Sequence, residues 1–133
     1  MSAQLFVVAT PIGHLDDITY RAIEVLKSVS IIAAEDTRTS AQLLRHHNIS
    51  TPLTACHEHN ESNKIDILIE RLLKGENMAL ISDAGTPLIS DPGFKLVRAA
   101  QEHNIRVIPV PGACAAIAAL SSVGLPSDRF SFQ

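Results

Sequence analysis

Five short apolar runs punctuate this chain: Leu5 to Ala9, Ser30 to Ala34, Leu53 to Cys56, Met78 to Ser82 and Arg106 to Val110. Each has strand length. All but the third are nearly unbroken rather than alternating, the pattern of parallel strands covered on both faces. The third reads as an edge strand. Helical spacing fills the intervals. Thr19 to Val29 sets Ala22, Ile23, Leu26 and Val29 on one stripe, and Ile65 to Leu73 sets Ile65, Leu68, Ile69, Leu72 and Leu73 on another. Thr39 to His47, Gly93 to Asn104 and Cys114 to Val123 complete the alternation, with Gly75 placed as a left-handed helix terminus. The expected fold is α/β: an open, mainly parallel five-stranded sheet with helices on both faces and right-handed crossovers.

The chain has 133 residues, enough for one domain that buries roughly two-thirds of its unfolded surface. With 46% hydrophobic and 19% charged residues, and no apolar run of about eighteen residues, it reads as a globular protein without a membrane span. Met1 to Gln4 leads directly into a strand with no signal-peptide pattern, so a cytoplasmic location is expected. Cys56 and Cys114 belong to no CxxC pair and are expected as reduced thiols. A net charge of −3 argues against a free-standing module that binds nucleic acid by phosphate neutralisation, though a longer protein can add the basic surface. No obviously exposed apolar helix marks a dimer surface.

Ligands of open parallel sheets bind beyond the carboxyl ends of the strands. Gly13, Gly85 and Gly112 fall in those loops, either to let backbone approach a ligand or simply to make tight turns. The absence of GxGxxG and GxxxxGK[ST] removes the usual evidence for a dinucleotide or a P-loop phosphate site. The segment Asp83 to Gly93 is too long for an ordinary turn. Ser90 or Asp91 can cap the helix near Pro92, leaving Asp83 and Thr86 as ligand candidates. In Glu35-Asp36-Thr37-Arg38 the acids can hold a ribose hydroxyl or substrate, or Asp36 or Thr37 can cap a helix beside Arg38. His57-Glu58-His59-Asn60-Glu61 lacks the spacing of a zinc site, and no metal is expected. His46, His47 and His103 suit helix C-termini. Cys114, near a helix start, is either a thiol of lowered pKa or a small packing residue.

Taken together, Leu5 to Thr19 (with Thr10-Pro11-Ile12-Gly13-His14), Ala34 to Arg38, Ser82 to Gly93 and Pro109 to Ala116 closely resemble the bacterial 16S ribosomal RNA cytidine 2′-O-ribose methyltransferases of the tetrapyrrole-methylase superfamily. The resemblance runs in order along essentially the whole chain. It implies a two-domain enzyme, usually a homodimer, that binds S-adenosyl-L-methionine between its domains and methylates 16S rRNA in the small ribosomal subunit. Residues 1–125 would be the N-terminal, cofactor-side domain and 126–133 the start of a linker or next domain, the C-terminal domain being absent. The isolated half is then expected to be inactive. Carried over loop by loop, the cofactor wall falls at Ile12, at Asp83, Ala84, Gly85, Thr86, Pro87 and Ile89, and at Pro111, Gly112, Ala113, Cys114 and Ala115. Many superfamily members have a shorter Gly-Asp-Pro turn where this chain has Ala84-Gly85-Thr86-Pro87. A ribose hydroxyl is a weak nucleophile that benefits from a general base, for which Glu35, Asp36 and Glu61 are candidates, while Arg38 and His57 can orient RNA. The alternatives are a methyltransferase acting on a tetrapyrrole and a non-catalytic binding or dimerisation module.

Overall fold

The computed structural model describes residues 3–56, 61–87, 94–126 and 128–131, with residues 61, 62 and 94 as backbone alone. Among them, strands β1 (Gln4–Val8), β2 (Ile31–Ala34), β3 (Leu53–Ala55), β4 (Met78–Ile81) and β5 (Arg106–Val110) alternate with helices α1 (Tyr20–Ser28), α2 (Thr37–His46), α3 (Glu61–Leu73), α4 (Phe94–Glu102) and α5 (Ala115–Ser122). The sheet is parallel throughout, in the order β3-β2-β4-β1-β5. The expected α/β fold is thus observed, and β3 does lie at an edge. The other edge is β5, where Pro109 pairs opposite Val7. A proline has no N–H for a further ladder, which suits the last strand of a sheet.

Every residue of β2 and β4 is buried, because helices cover both faces. On one face Leu5, Ile31, Ala33, Met78 and Leu80 pack against Ile65, Leu68, Ile69 and Leu72 of α3 and Leu96 and Ala100 of α4. On the other, Val8, Ile32, Ala34, Ala79 and Ile81 meet Ala22 and Leu26 of α1 and Leu44 of α2. Leu5, Leu26, Leu68 and Leu72 are sealed from solvent, each such side chain contributing about 2 kcal/mol of transfer free energy.

Helix boundaries depart from the apolar stripes where caps decide them. Thr19 Oγ1 accepts from the Ala22 N–H at 3.0 Å and starts α1. Helix α2 begins two residues before the expected Thr39, because Asp36 is its N-cap and accepts from the Arg38 N–H at 2.9 Å. Helix α3 starts at Glu61, four residues ahead of the first stripe residue, Ile65.

Three helices end alike. Asn48, Gly75 and Asn104 all have positive φ. After each, the next amide reaches back five residues: Ile49 to the Leu44 carbonyl, Glu76 to Arg71, and Ile105 to Ala100. These are Schellman terminations, which usually add an apolar contact just past the cap. Ile49 and Ile105 are buried in that position, whereas Glu76 forms an ion pair with Arg71 at 2.9 Å instead. A left-handed backbone disfavours a Cβ by about 1–2 kcal/mol, and Asn lowers that penalty by local hydrogen bonding. Asn104→Ala is therefore expected to lower unfolding free energy by about 1 kcal/mol while Asn104→Gly leaves it level or raises it; urea unfolding of both variants tests this.

Candidate functional site

Strands β1 and β4 are neighbours, yet the chain leaves them towards opposite faces of the sheet. From β1 it runs into α1, which packs with the second cluster, and from β4 into α4, which packs with the first. Loops that part in this way open a crevice above the strand ends. Here the crevice is bridged by backbone: the Thr10 N–H donates to the Gly85 carbonyl and the Gly85 N–H to the Thr10 carbonyl, both at 2.9 Å. Gly85 has φ +80°, and a Cβ there would sit 3.2 Å from Ile12 Cγ2. The loop after β5 is tied in as well. Thr86 Oγ1 donates to the Ala113 carbonyl at 2.9 Å, and a Cβ on Gly112 would lie 2.9 Å from the Ala9 Cβ. Turn geometry thus accounts for Gly85 and Gly112, whereas Gly13 has open space around it.

On one side of the bridge lie two adjoining open pockets. One, of about 270 Å³, is lined by Ile12, Ala84, Gly85, Thr86, Cys114, Ala115 and Ala116. The other, of about 530 Å³, is lined by Ile12, Asp16, Asp17, Ile18, Thr19, Gly112, Ala113, Cys114 and Ala118. Three loops remote in sequence therefore converge on one cleft whose walls are mostly small and apolar. Cys114 is the N-cap of α5 but makes no side-chain capping bond, so the first amides of α5 lack that partner.

On the other side is a smaller pocket lined by residues including Thr10, Ser40, Ser82 and Asp83. Asp83 Oδ1 accepts from the Asp36 N–H at 3.2 Å, joining the loops after β2 and β4. The Asp36 carboxylate is itself engaged, since it caps α2 and lies 3.6 Å from Arg38 Nε. The bond from the Arg38 amide, and then the guanidinium charge, hold its pKa below the ordinary 3.8 against some desolvation. Glu35 is half-buried, and the Arg38 side chain is almost fully exposed.

A clamp at the far end of α2 fixes the loop after β1. His46 Nε2 lies 2.9 Å from Asp16 Oδ1, and His47 Nε2 donates to the Leu15 carbonyl at 2.7 Å. Asp16, His46 and His47 place three ligand-type atoms within 4.8 Å, a spacing a metal ion could bridge. All three residues are already engaged in bonds between protein groups, and the hydrogen bond from His46 is the main influence lowering the Asp16 pKa. The histidines at this helix end thus tie down a wall of the cleft.

The structure brings Ile12, Ala84, Gly85, Thr86, Gly112, Ala113, Cys114 and Ala115 together in the cleft. Asp83 instead faces the smaller pocket, and neither Pro87 nor Pro111 lines either part of the cleft. Ile89 lies outside the described residues, as do His57 and the Ser90 and Asp91 caps; Glu61 is placed by its backbone at the start of α3. The sequence reading did not name as site residues Asp16, Asp17, Ile18, Thr19 and Ala116, although they lie in the segments that carry the resemblance, nor Ala118, which lies outside them, nor Ser40, whose signal is a hydroxyl on the stripe shared with Leu43 and Leu44.

The profile of the tetrapyrrole (corrin/porphyrin) methylases matches residues 4–132. The chain belongs to that family. Among its relatives, ribosomal RNA small subunit methyltransferase I of Pseudomonas aeruginosa is 67% identical across 97% of this chain and 46% of that protein. The protein of that name from Haemophilus influenzae is 61% identical, again over 97% of this chain and 46% of its own length. The chain thus spans about half the length of these curated relatives. The uroporphyrin-III C-methyltransferase structure from Thermus thermophilus superposes with a TM-score of 0.70 at 22% identity, covering 95% of this chain and 55% of that one, which is a likeness of fold. In this tetrapyrrole methylase no helix of the described residues is long and apolar enough to cross a membrane.

Because the Asp36 pKa is lowered on folding, its charge stabilises fully above 3.8 and progressively less as pH falls through the folded value. Asn caps helices about as well as Asp. Asp36→Asn should therefore melt below wild type at about pH 6, by a margin that narrows as pH falls below 3.8, as followed by circular dichroism; a deficit that does not change with pH would contradict the charge assignment.

Proposed function

We propose that this chain is the N-terminal, cofactor-side half of an S-adenosylmethionine-dependent methyltransferase acting on the ribose 2′-hydroxyl of a cytidine in 16S rRNA of the small ribosomal subunit. The observation that carries the reading is the 67% identity to a ribosomal RNA small subunit methyltransferase, which extends over the whole cleft-bearing segment. Residues 1–125 form the cofactor-side domain and 126–133 lead into a second. Helix α5 supports this division: it buries none of its own residues, and Ile117 is 51% exposed. With Val123, Leu125 and Phe130 it leaves an apolar surface, contrary to the expectation that no helix would, and such surfaces mark contact sites. A homodimer working in the cytoplasm completes the proposal.

The cleft fits the donor. Ile12, Ala84, Ala115 and Ala116 offer apolar, close-approach walls for the adenosine, while the uncapped amides of α5 suit a carboxylate. Asp83, Pro87 and Pro111, which the resemblance also puts on this wall, belong to the same loops without lining either part of the cleft, and Ile89 keeps its place in the proposal from the resemblance alone. When bound, S-adenosylmethionine supplies an electrophilic methyl group, and transfer is a matter of holding an oxygen in line with it. The nucleophile must lose its proton. Asp36 is a weak base because its charged form is stabilised, so its part, with Arg38, is to order the rim. Glu35 and Glu61 remain this chain's candidates for the base.

In protein extended to the full length of its relatives, calorimetry should detect S-adenosylhomocysteine and no NAD. Gly85→Val puts a branched side chain at φ +80° against Ile12 and should weaken binding at least about tenfold, equivalent to about 1.4 kcal/mol. Nucleoside mass spectrometry should find 2′-O-methylcytidine after incubation with small subunits lacking it. No binding by the extended wild type would defeat the proposal.

A further inference from the structure

Asp16 sits among histidines contributed by a distant part of the chain. His46 closes the last turn of α2 and His47 is its C-cap, while Asp16 lies in the loop after β1, 30 positions before His46. His46 Nε2 is 2.9 Å from Asp16 Oδ1, and His47 Nε2 is 2.7 Å from the Leu15 carbonyl. The two rings meet edge to face, at 87° with centroids 4.7 Å apart, so both can turn Nε2 to one point without stacking. Two imidazole nitrogens and a carboxylate oxygen thus lie within 4.8 Å of one another. His14 stands beside this group, its Nδ1 accepting the Asp16 N–H at 3.2 Å. The side chains of Asp16 and His46 are 68% and 42% exposed, so a small solute reaches them from solvent.

The donor set selects among cations. Carboxylate, carbonyl and water suit magnesium and calcium, whereas imidazole suits zinc, copper and nickel. Two imidazoles among three donors favour the second group. A tetrahedral zinc centre with bonds of about 2.0–2.1 Å holds its ligand atoms about 3.4 Å apart. The Asp16–His46 pair is closer than that, at 2.9 Å, and no pair exceeds 4.8 Å, so small rotations of exposed side chains close the difference. The carboxyl end of α2 is the negative pole of its dipole and favours a cation. Arg45, in the same last turn, opposes it, but it is exposed and therefore screened.

We propose that Asp16, His46 and His47 form a binding site for a divalent transition ion of the zinc type, with water in the fourth position. Facing two acceptors, both Nε2 atoms carry protons; on binding, these move through solvent to Nδ1, and His47 releases the Leu15 carbonyl to water. The ion then joins the end of α2 to the loop after β1, where Asp16 and Thr19 line the larger part of the cleft. It braces that wall and takes no part in a reaction, and the assignment stands whether or not the chain transfers methyl groups.

The test compares full-length wild type with His46→Gln/His47→Gln and with His103→Ala, which removes an exposed histidine just past the end of α4. Glutamine keeps an N–H for the Asp16 carboxylate and the Leu15 carbonyl but lacks the imidazole nitrogen that such ions select. After treatment with a chelator, zinc at about a hundredfold excess over Kd should raise the melting temperature of wild type and His103→Ala by about 3 °C or more. The double variant should melt with wild type in the absence of zinc, bind zinc at least about tenfold more weakly and lose the shift. Should it melt well below wild type, His47→Gln alone, which leaves the His46–Asp16 bond in place, carries the same comparison. Cobalt in place of zinc should give the visible absorption of a four-coordinate centre in wild type and not in the variant. Equal zinc affinity in wild type and variant overturns the assignment, because other residues then hold the ion. Wild type that binds no zinc overturns it as well and leaves the three residues as a hydrogen-bonded clamp, and so does magnesium that displaces zinc at equal concentration.

Discussion

The reciprocal pair of hydrogen bonds between Thr10 and Gly85 is the constraint on which the site depends. Beyond the last paired residues of β1 and β4 the chain heads for opposite faces of the sheet, and nothing in the strand ladder would keep the two loops together. Two N–H···O bonds at 2.9 Å do so. They oblige residue 85 to take a left-handed backbone, hence glycine, and they seat Ile12 against it. They also separate two environments a few residues apart. One side is lined mainly by small residues and backbone, the other by Thr10, Thr39, Ser40, Ser82 and Asp83 together with the apolar Pro11, Leu15 and Leu43.

The surroundings of that bridge are held by short local contacts that double as fold elements. Asp36 begins α2 and, through its own amide, holds Asp83 beside the smaller pocket. Helix α2 in turn finishes with His46 and His47, which fasten the loop carrying Asp16 to the sheet's periphery. One ten-residue helix thus positions a loop at each of its ends. Cap residues near a site are easily mistaken for chemical ones, because both functions want a short acidic side chain at a helix N-terminus. At Asp36 the cap is what the structure shows: its carboxylate accepts the Arg38 N–H at 2.9 Å, the bond that also does most to lower its pKa.

What was legible in the sequence follows from the same division. Unbroken runs such as Ile31 to Ala34 and Met78 to Ile81 announce strands covered twice, since a half-exposed strand would alternate. The stripe of α3 revealed the helix but hid its start, because positions 61–64 come before the first apolar member, Ile65. Two of the three Schellman helix ends carry no glycine to mark them. They use asparagine, in the repeated pair His47-Asn48 and His103-Asn104, whereas Gly75 is legible as a left-handed end. Among site residues, those in loops rich in glycine and proline were legible and those presented by helices were not. Ser40 is one polar letter in a stripe, and only coordinates reveal that its hydroxyl is left over.

That leftover hydroxyl and the bare helix α5 share a logic. Each is a local loss of stability: an unpaired polar atom in the first case, exposed Ile117, Val123 and Leu125 in the second. The sheet can carry both, because its two clusters are closed by α1 to α4 and owe little to α5, which contributes no buried residue.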